Sequence, residues 1–226
     1  MIRLALEHPT LQLGIVSVRG VRCEPSSTLL LTQISAAEQL VRTDATAFPE
    51  AVRVAVRDML RVGGYKPTGR GKPASEYLVG AARESGLPRV NNLVDINNLA
   101  SLLSAIPISM FDTDLLTDDA IVRYGRSGEK YPFNASGQVM DISGIPVVCR
   151  GATDEPIGNA VKDSMLAKVG LHTRNVTAVL YGSRRLPPGH LAQASRQVAS
   201  MLTEFASATE WQAPGAVENG RHVPGV

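Results

Sequence analysis

The order of apolar and polar positions divides the 226-residue chain into blocks. Residues 2–6 and 11–18 ("LQLGIVSV") are aliphatic and partly β-branched, with Pro9 as a break between them, and predict two strands. Residues 35–43 predict a short helix. "FPEAVRVAVRDMLRVGG" (48–64) predicts a longer one: Val52, Val56, Met59 and Leu60 fall at helical spacing, Pro49 and Glu50 suit the first turn, and Gly63-Gly64 ends it. "YKPTGRGKPASEYLVGAARESG" (65–86) opens as a Gly/Pro-rich basic loop and becomes helical from about Ala74 to Gly86. "VNNLVDINNLASLLSAIPISMFD" (90–112) predicts a helix over about 94–106, closed by Pro107.

Beyond residue 108 the texture shortens. "AIVRY", "GIPVVCR" and "VTAVLYG" are apolar runs separated by Gly, Pro, Asp and Asn, and they read as strands. A last helix is expected over about 188–209. "WQAPGAVENGRHVPGV" (211–226) has no periodicity and reads as a loose C-terminal tail. There are no internal repeats. Strands, helices, strands and a final helix describe a single compact α+β domain over residues 1–210. Its helices pack against a central, mostly antiparallel or mixed sheet.

Composition supports a packed core, with 44% apolar and 19% charged residues, and excludes global disorder. A net charge of +2 gives no long-range field for nucleic acid and leaves room only for a local basic face. Cys23 and Cys149 are far apart, and His8, His172, His190 and His222 share no ligand spacing. No metal and no other cofactor is expected. The cysteines read as reduced thiols, with a disulfide left open. No apolar run reaches membrane-spanning length and the start is not a signal peptide, which places the chain in the cytoplasm without a membrane partner. Oligomeric state stays open.

The candidate chemistry lies in the asparagine-rich helix. On a helical wheel Ile96, Leu99, Leu102, Leu103 and Ile106 form an apolar stripe. Asp95 and Asn98 share a second face, and Asn97, Ser101 and Ser104 a third. Two readings stand. Asp95 caps the helix and the carboxamides pin nearby loops, the commoner use of such residues. Alternatively, the polar end of the helix lines a pocket, where Asn offers both donor and acceptor to an amino-acid or ribose group.

The stretch "GLPRVNNLVDINNLASLLSAIPISMFD" resembles the editing domain of the bacterial phenylalanyl-tRNA synthetase beta subunit, and more closely the free-standing version of that domain. "KPASEYL" (72–78), "AIVRYGRSGE" (120–129) and "VKDSMLAKV" (161–169) extend the resemblance over about residues 45–185. It implies a compact α+β domain that binds the acylated 3′ end of tRNA and hydrolyses a wrong amino acid from it.

Carried over position by position, Asn98 stands at the pocket Asn of that family and Asn97 at its pocket Thr. Asp163 and Ser164 match its Asp-Ser pair. Ser109 stands where the family has His, and Tyr181 falls near the place of a late-strand Glu. A serine cannot take a proton at neutral pH as histidine can. The resemblance therefore implies Asn98, Ser109 and Asp163 as catalytic candidates. Asn97, Gly151, Ala152 and Ser164 are substrate-binding candidates, with Gly151-Ala152 equally readable as an ordinary turn.

Lys66, Arg70 and Lys72 in the basic loop are RNA-binding candidates. The loop is no Walker-type phosphate site, because Gly71-Lys72 is followed by Pro73. Three functions remain open: a trans-acting deacylase of mischarged tRNA, a non-catalytic module that binds aminoacyl-tRNA, RNA or a small amino compound, and a hydrolase or racemase-like enzyme on a different small amino compound.

Overall fold

Strand β1 (Ile2–Leu4) is followed by β2 (Leu11–Arg19), α1 (Thr28–Thr43), α2 (Glu50–Arg61), α3 (Ala74–Glu84) and α4 (Asn92–Ser104). Then come β3 (Ile108–Asp112), β4 (Ala120–Tyr124), β5 (Lys130–Pro132), β6 (Val139–Asp141), β7 (Pro146–Arg150), β8 (Pro156–Asn159), β9 (Asn175–Ser183) and α5 (His190–Ala206). Three short strands, β10 (Glu210–Trp211), β11 (Gly215–Glu218) and β12 (Arg221–Val223), close the chain. The structure, a computed structural model, describes residues 2–116, 119–211, 215–218 and 221–223.

The central sheet has the order β12-β11-β2-β9-β3, with β10 also pairing on β2. Strands β2 and β9 run antiparallel along their whole length, from Leu11 opposite Ser183 to Arg19 opposite Asn175. Nearly every residue of β9 is buried, so its sequence reads as a continuous apolar run rather than an alternation. Helix α5 packs on β2 and β9, α2 on β9, and α4 on β3 and α5. A Cβ at Gly14 of β2 would lie 2.5 Å from Ser195 Oγ of α5, so only glycine lets this helix approach so closely.

A second sheet, β1-β4-β7-β8, is antiparallel except for the parallel pair β1–β4. Strands β5 and β6 form a separate hairpin. The class is α+β with helices against a central sheet, as the element order implies.

Helix α4 begins earlier than its apolar pattern indicates. Asn91 is its cap, accepting from the Val94 N–H at 2.9 Å. Asp95 is not the cap; it is buried, and accepts from Ser26 Oγ at 2.6 Å and from the Val90 N–H at 3.0 Å. The helix packs against α1, α3, α5 and β3, so it has little solvent face and its serines must be satisfied from within. Ser101 donates to the Ile106 carbonyl and Ser104 to that of Ala100, both at 2.7 Å.

Two other boundaries differ from expectation. Helix α1 starts at Thr28, with Ser27 accepting from the Leu30 N–H, well before residue 35. Leu29, Leu31 and Leu40 are exposed, and these outward leucines blur the helical stripe. In the segment read as a loose tail, β11 pairs with β2 and β12 with β11. Such pairing uses backbone groups and needs no side-chain period. The remainder of that segment, residues 212–214, 219–220 and 224–226, lies outside the described residues.

Candidate functional site

A cavity of about 1270 Å³ opens between the start of α4, the helix α3, the hairpin β5–β6 and the loop that follows β8. Its polar lining includes Asn97, Asn98, Asp141 and Asp163, and its apolar lining includes Ile108, Met110, Val161 and Phe133. The mixture fits a ligand with one apolar part and a few groups to be oriented.

Asp163 is the most constrained group. Ser109 Oγ donates to its Oδ1 at 2.5 Å, and the backbone N–H groups of Asn159 and Met110 also donate to the carboxylate. Desolvation outweighs these donors and pushes the Asp163 carboxyl up to about 7. It is therefore poised to exchange a proton near neutrality.

Behind it, Ser109 Oγ lies 3.0 Å from Tyr181 Oη, and both residues are essentially inaccessible to solvent. Gly158 makes room for this arrangement, since a Cβ there would stand 2.3 Å from Asp163 Oδ1.

The loop carrying Asp163 is tied at several points. Asn159 Oδ1 accepts from the Val161 and Lys162 N–H groups at 2.8 and 3.2 Å. Its Nδ2 donates to Tyr131 Oη at 2.5 Å, and that hydroxyl donates to the Lys162 carbonyl at 2.5 Å. Burial holds the Tyr131 hydroxyl well above its ordinary pKa, so it serves as a neutral strut.

Of the four asparagines at the start of α4, one belongs to the core and three line the cavity. Asn92 is buried and bonds the Glu24 N–H at 2.9 Å and the carbonyls of Arg22 and Phe205 at 2.8 and 3.0 Å. Asn91, which caps the helix, lines the cavity together with Asn97 and Asn98. Asn97 Nδ2 donates to the Ile108 carbonyl at 3.1 Å, which fixes its orientation, and its buried Oδ1 has no partner among the described residues. An acceptor left over at a cavity wall calls for a donor from a ligand.

Cations surround the cavity: Arg70, Lys72, Lys162 and Lys168 all line it. Lys162 Nζ stands 3.8 Å from the Phe133 ring centroid, and burial together with the nearby Arg70 lowers its pKa. Lys168 Nζ donates to the Phe133 carbonyl at 2.7 Å. Tyr77, over which Lys72 lies at 6.0 Å, is another exposed aromatic on the same wall.

The structure thus brings together Asn97, Asn98, Asp163, Arg70 and Lys72, with Ser109 directly behind Asp163. Four other candidates do not line the cavity. Lys66 is exposed outside it. Ser164 is buried, and its Oγ accepts from the Leu166 N–H at the start of a short turn. Gly151 and Ala152 form a turn after β7. A Cβ at Gly151 would lie 1.8 Å from the Asp119 carbonyl oxygen, so the small residue admits backbone of this chain.

Tyr131, Asn159, Gly158 and Lys168 were not found from sequence. Their roles depend on contacts between elements distant along the chain, for which a single sequence carries no signal. Among the described residues, no group of three or more His, Cys, Asp or Glu side chains is arranged to hold a metal ion. No helix among them is long and apolar enough to cross a membrane.

Comparison with curated proteins gives no match. Among solved structures, an N-terminal fragment of the phenylalanyl-tRNA synthetase beta subunit from Pyrococcus horikoshii is similar at 11% identity and a TM-score of 0.45. The match covers 58% of this chain and 44% of that one, so this chain spans less than half the length of that fragment. Residues 66–207 match the B3/4 domain, a span that holds every residue lining the cavity except Tyr65, and the Ser109–Asp163 contact. The chain belongs to the B3/4 domain family.

Proposed function

We propose that this protein acts in trans as an editing-like deacylase. It binds the acylated 3′ end of tRNA and hydrolyses mischarged aminoacyl-tRNA. One observation carries the reading. One cavity, lined almost entirely from the B3/4 region, is bordered by Asn97, whose Oδ1 has no partner among the described residues, by the poised Asp163 carboxyl, and by the cations Arg70, Lys72, Lys162 and Lys168. The motif resemblance over residues 90–112 supports the same substrate class.

In this reading the cations hold backbone phosphates of the 3′ end, a contact indifferent to sequence. Asn97 Oδ1 accepts from the amino group of the aminoacyl moiety. Asn98 donates to the ester carbonyl as its oxygen gains negative charge. Asp163 takes a proton from a water molecule, whose oxygen bonds to the ester carbonyl carbon. The carbon–oxygen bond to the ribose then breaks, and Asp163 returns the proton to the departing ribose oxygen. The products are the free amino acid and tRNA with a free terminal hydroxyl. An aminoacyl ester is already activated, so positioning and charge stabilisation are an adequate catalytic apparatus. Ser109, buried behind Asp163, orients the carboxylate and does not touch the substrate.

A second reading, a binding module without turnover, is favoured by one feature: no histidine is among the residues lining the cavity. A panel of mischarged aminoacyl-tRNAs incubated with purified protein separates the two. Release of amino acid from at least one member is expected, lost in Asn97→Ala and Asp163→Asn. Tight binding of aminoacyl-tRNA with no release from any member would overturn the deacylase reading and establish the module.

A further inference from the structure

The proton on each hydroxyl behind Asp163 can be assigned. Ser109 has one hydroxyl proton and three acceptors in range, Asp163 Oδ1 at 2.5 Å, the Tyr181 hydroxyl at 3.0 Å and the Asn159 carbonyl at 3.3 Å. The shortest, charge-assisted contact takes it. Ser109 Oγ must then accept from the Tyr181 hydroxyl at 3.0 Å. No other hydrogen bond of the Tyr181 side chain is found among the described residues, and a buried hydroxyl needs one. The bonds therefore run in one direction, from Tyr181 to Ser109 to Asp163. Tyr181 sits on β9 in the middle of the central sheet and Ser109 on β3 beside it. The relay is anchored on two paired strands of the central sheet and ends at the cavity.

We propose that Tyr181 is a positioning residue of this site, which acts through the Ser109 hydroxyl to fix both the orientation and the proton state of the Asp163 carboxyl. The inference rests on Asp163 acting as the base of the proposed deacylase.

The groups facing Asp163 from the surrounding elements leave it as the one that titrates near neutrality. Tyr181 from β9 and Tyr131 from β5 are both held well above their ordinary values by burial and by Asp163 itself. Cys149 from β7 is pushed up to about 12 by burial. Lys168 and the N–H groups of Asn159 and Met110 favour the carboxylate. Lys162, on the same loop, lies over the Phe133 ring, and burial and Arg70 lower its pKa.

The test begins without substrate. The Asp163 carboxyl is titrated by carbon NMR in the wild-type protein and in Tyr181→Phe, which keeps the ring that fills the core. Loss of the Tyr181 donor makes the Ser109 hydroxyl a poorer donor, so the midpoint is expected to rise by about half a unit. Ser109→Ala is expected to raise it by about one unit, and Ser109→Thr to restore it. In deacylation, the acidic limb of kcat against pH moves by the same amount in each variant while KM holds. An unchanged midpoint in both Tyr181→Phe and Ser109→Ala would overturn the relay, whatever the activity. A shifted midpoint with no hydrolysis by the wild type would retain the relay and overturn the deacylase reading.

Discussion

Ser109 Oγ and Asp163 Oδ1 stand 2.5 Å apart across a separation of 54 residues. The contact joins the edge strand β3 to the loop after β8, and Asp163 lines the same cavity as Asn97 and Asn98. A serine at this place does not replace a histidine as base. It holds a carboxylate whose burial raises it to about 7.

The pH dependence follows from that value. A base must be ionised, so deacylation is expected to fall about tenfold per unit as pH drops below about 7. Stability runs the other way. The folded state keeps a proton that the unfolded chain, at the ordinary 3.8, releases. This contribution is fully present below about 3.8 and is lost as pH rises toward about 7. Asp163→Asn removes both dependences, which parallel rate and urea-unfolding measurements across that window would register.

The asparagines make opposite demands. Asn92→Ala removes bonds to Glu24, Arg22 and Phe205 inside the core and is expected to cost about 2–3 kcal/mol of stability. Activity per folded molecule should hold. Asn97→Ala loses one bond to Ile108 and should leave the melting temperature nearly unchanged. Aminoacyl-tRNA binding should weaken about tenfold. Equal effects of the two substitutions on binding would refute the division.

This division explains what a sequence can and cannot disclose. The carboxamide-rich helix was visible as an anomaly, because polar residues in a core helix demand partners. Strands 120–124 and 175–183 were visible because each is a short apolar run between turn residues. The cap at Asn91 and the start of α1 were misplaced where neighbouring polar or outward leucine residues masked the periodicity. Asn97 and Asn98 were separable from Asn92 only by tertiary contacts, and the roles of Tyr131 and Asn159 likewise depend on them.

Gly158 offers a steric test. A Cβ there would meet Asp163 Oδ1 at 2.3 Å and the Phe111 ring at 2.6 Å. Gly158→Ala is expected to lower deacylation at least about tenfold and stability by about 1–3 kcal/mol, because either Asp163 or Phe111 must move. Wild-type rates in this variant would show that the position of Asp163 is not critical.

The cations lining the cavity give a salt test. Arg70→Ala and Lys72→Ala should each reduce the slope of log affinity for tRNA against log salt by about 0.7–0.9. Lys66→Ala, at an exposed position outside the cavity lining, should change it less. Fluorescence anisotropy at several salt concentrations reads this directly.

The most direct measurement is single-turnover deacylation by wild type and Asp163→Asn on the best substrate of a mischarged aminoacyl-tRNA panel, with binding measured alongside. The expected result is a rate lower by about 10²–10⁴ in the variant with affinity within a few-fold of wild type. Unchanged hydrolysis in Asp163→Asn, or none by the wild type on any substrate, would contradict the assignment of this cavity as a hydrolytic editing site.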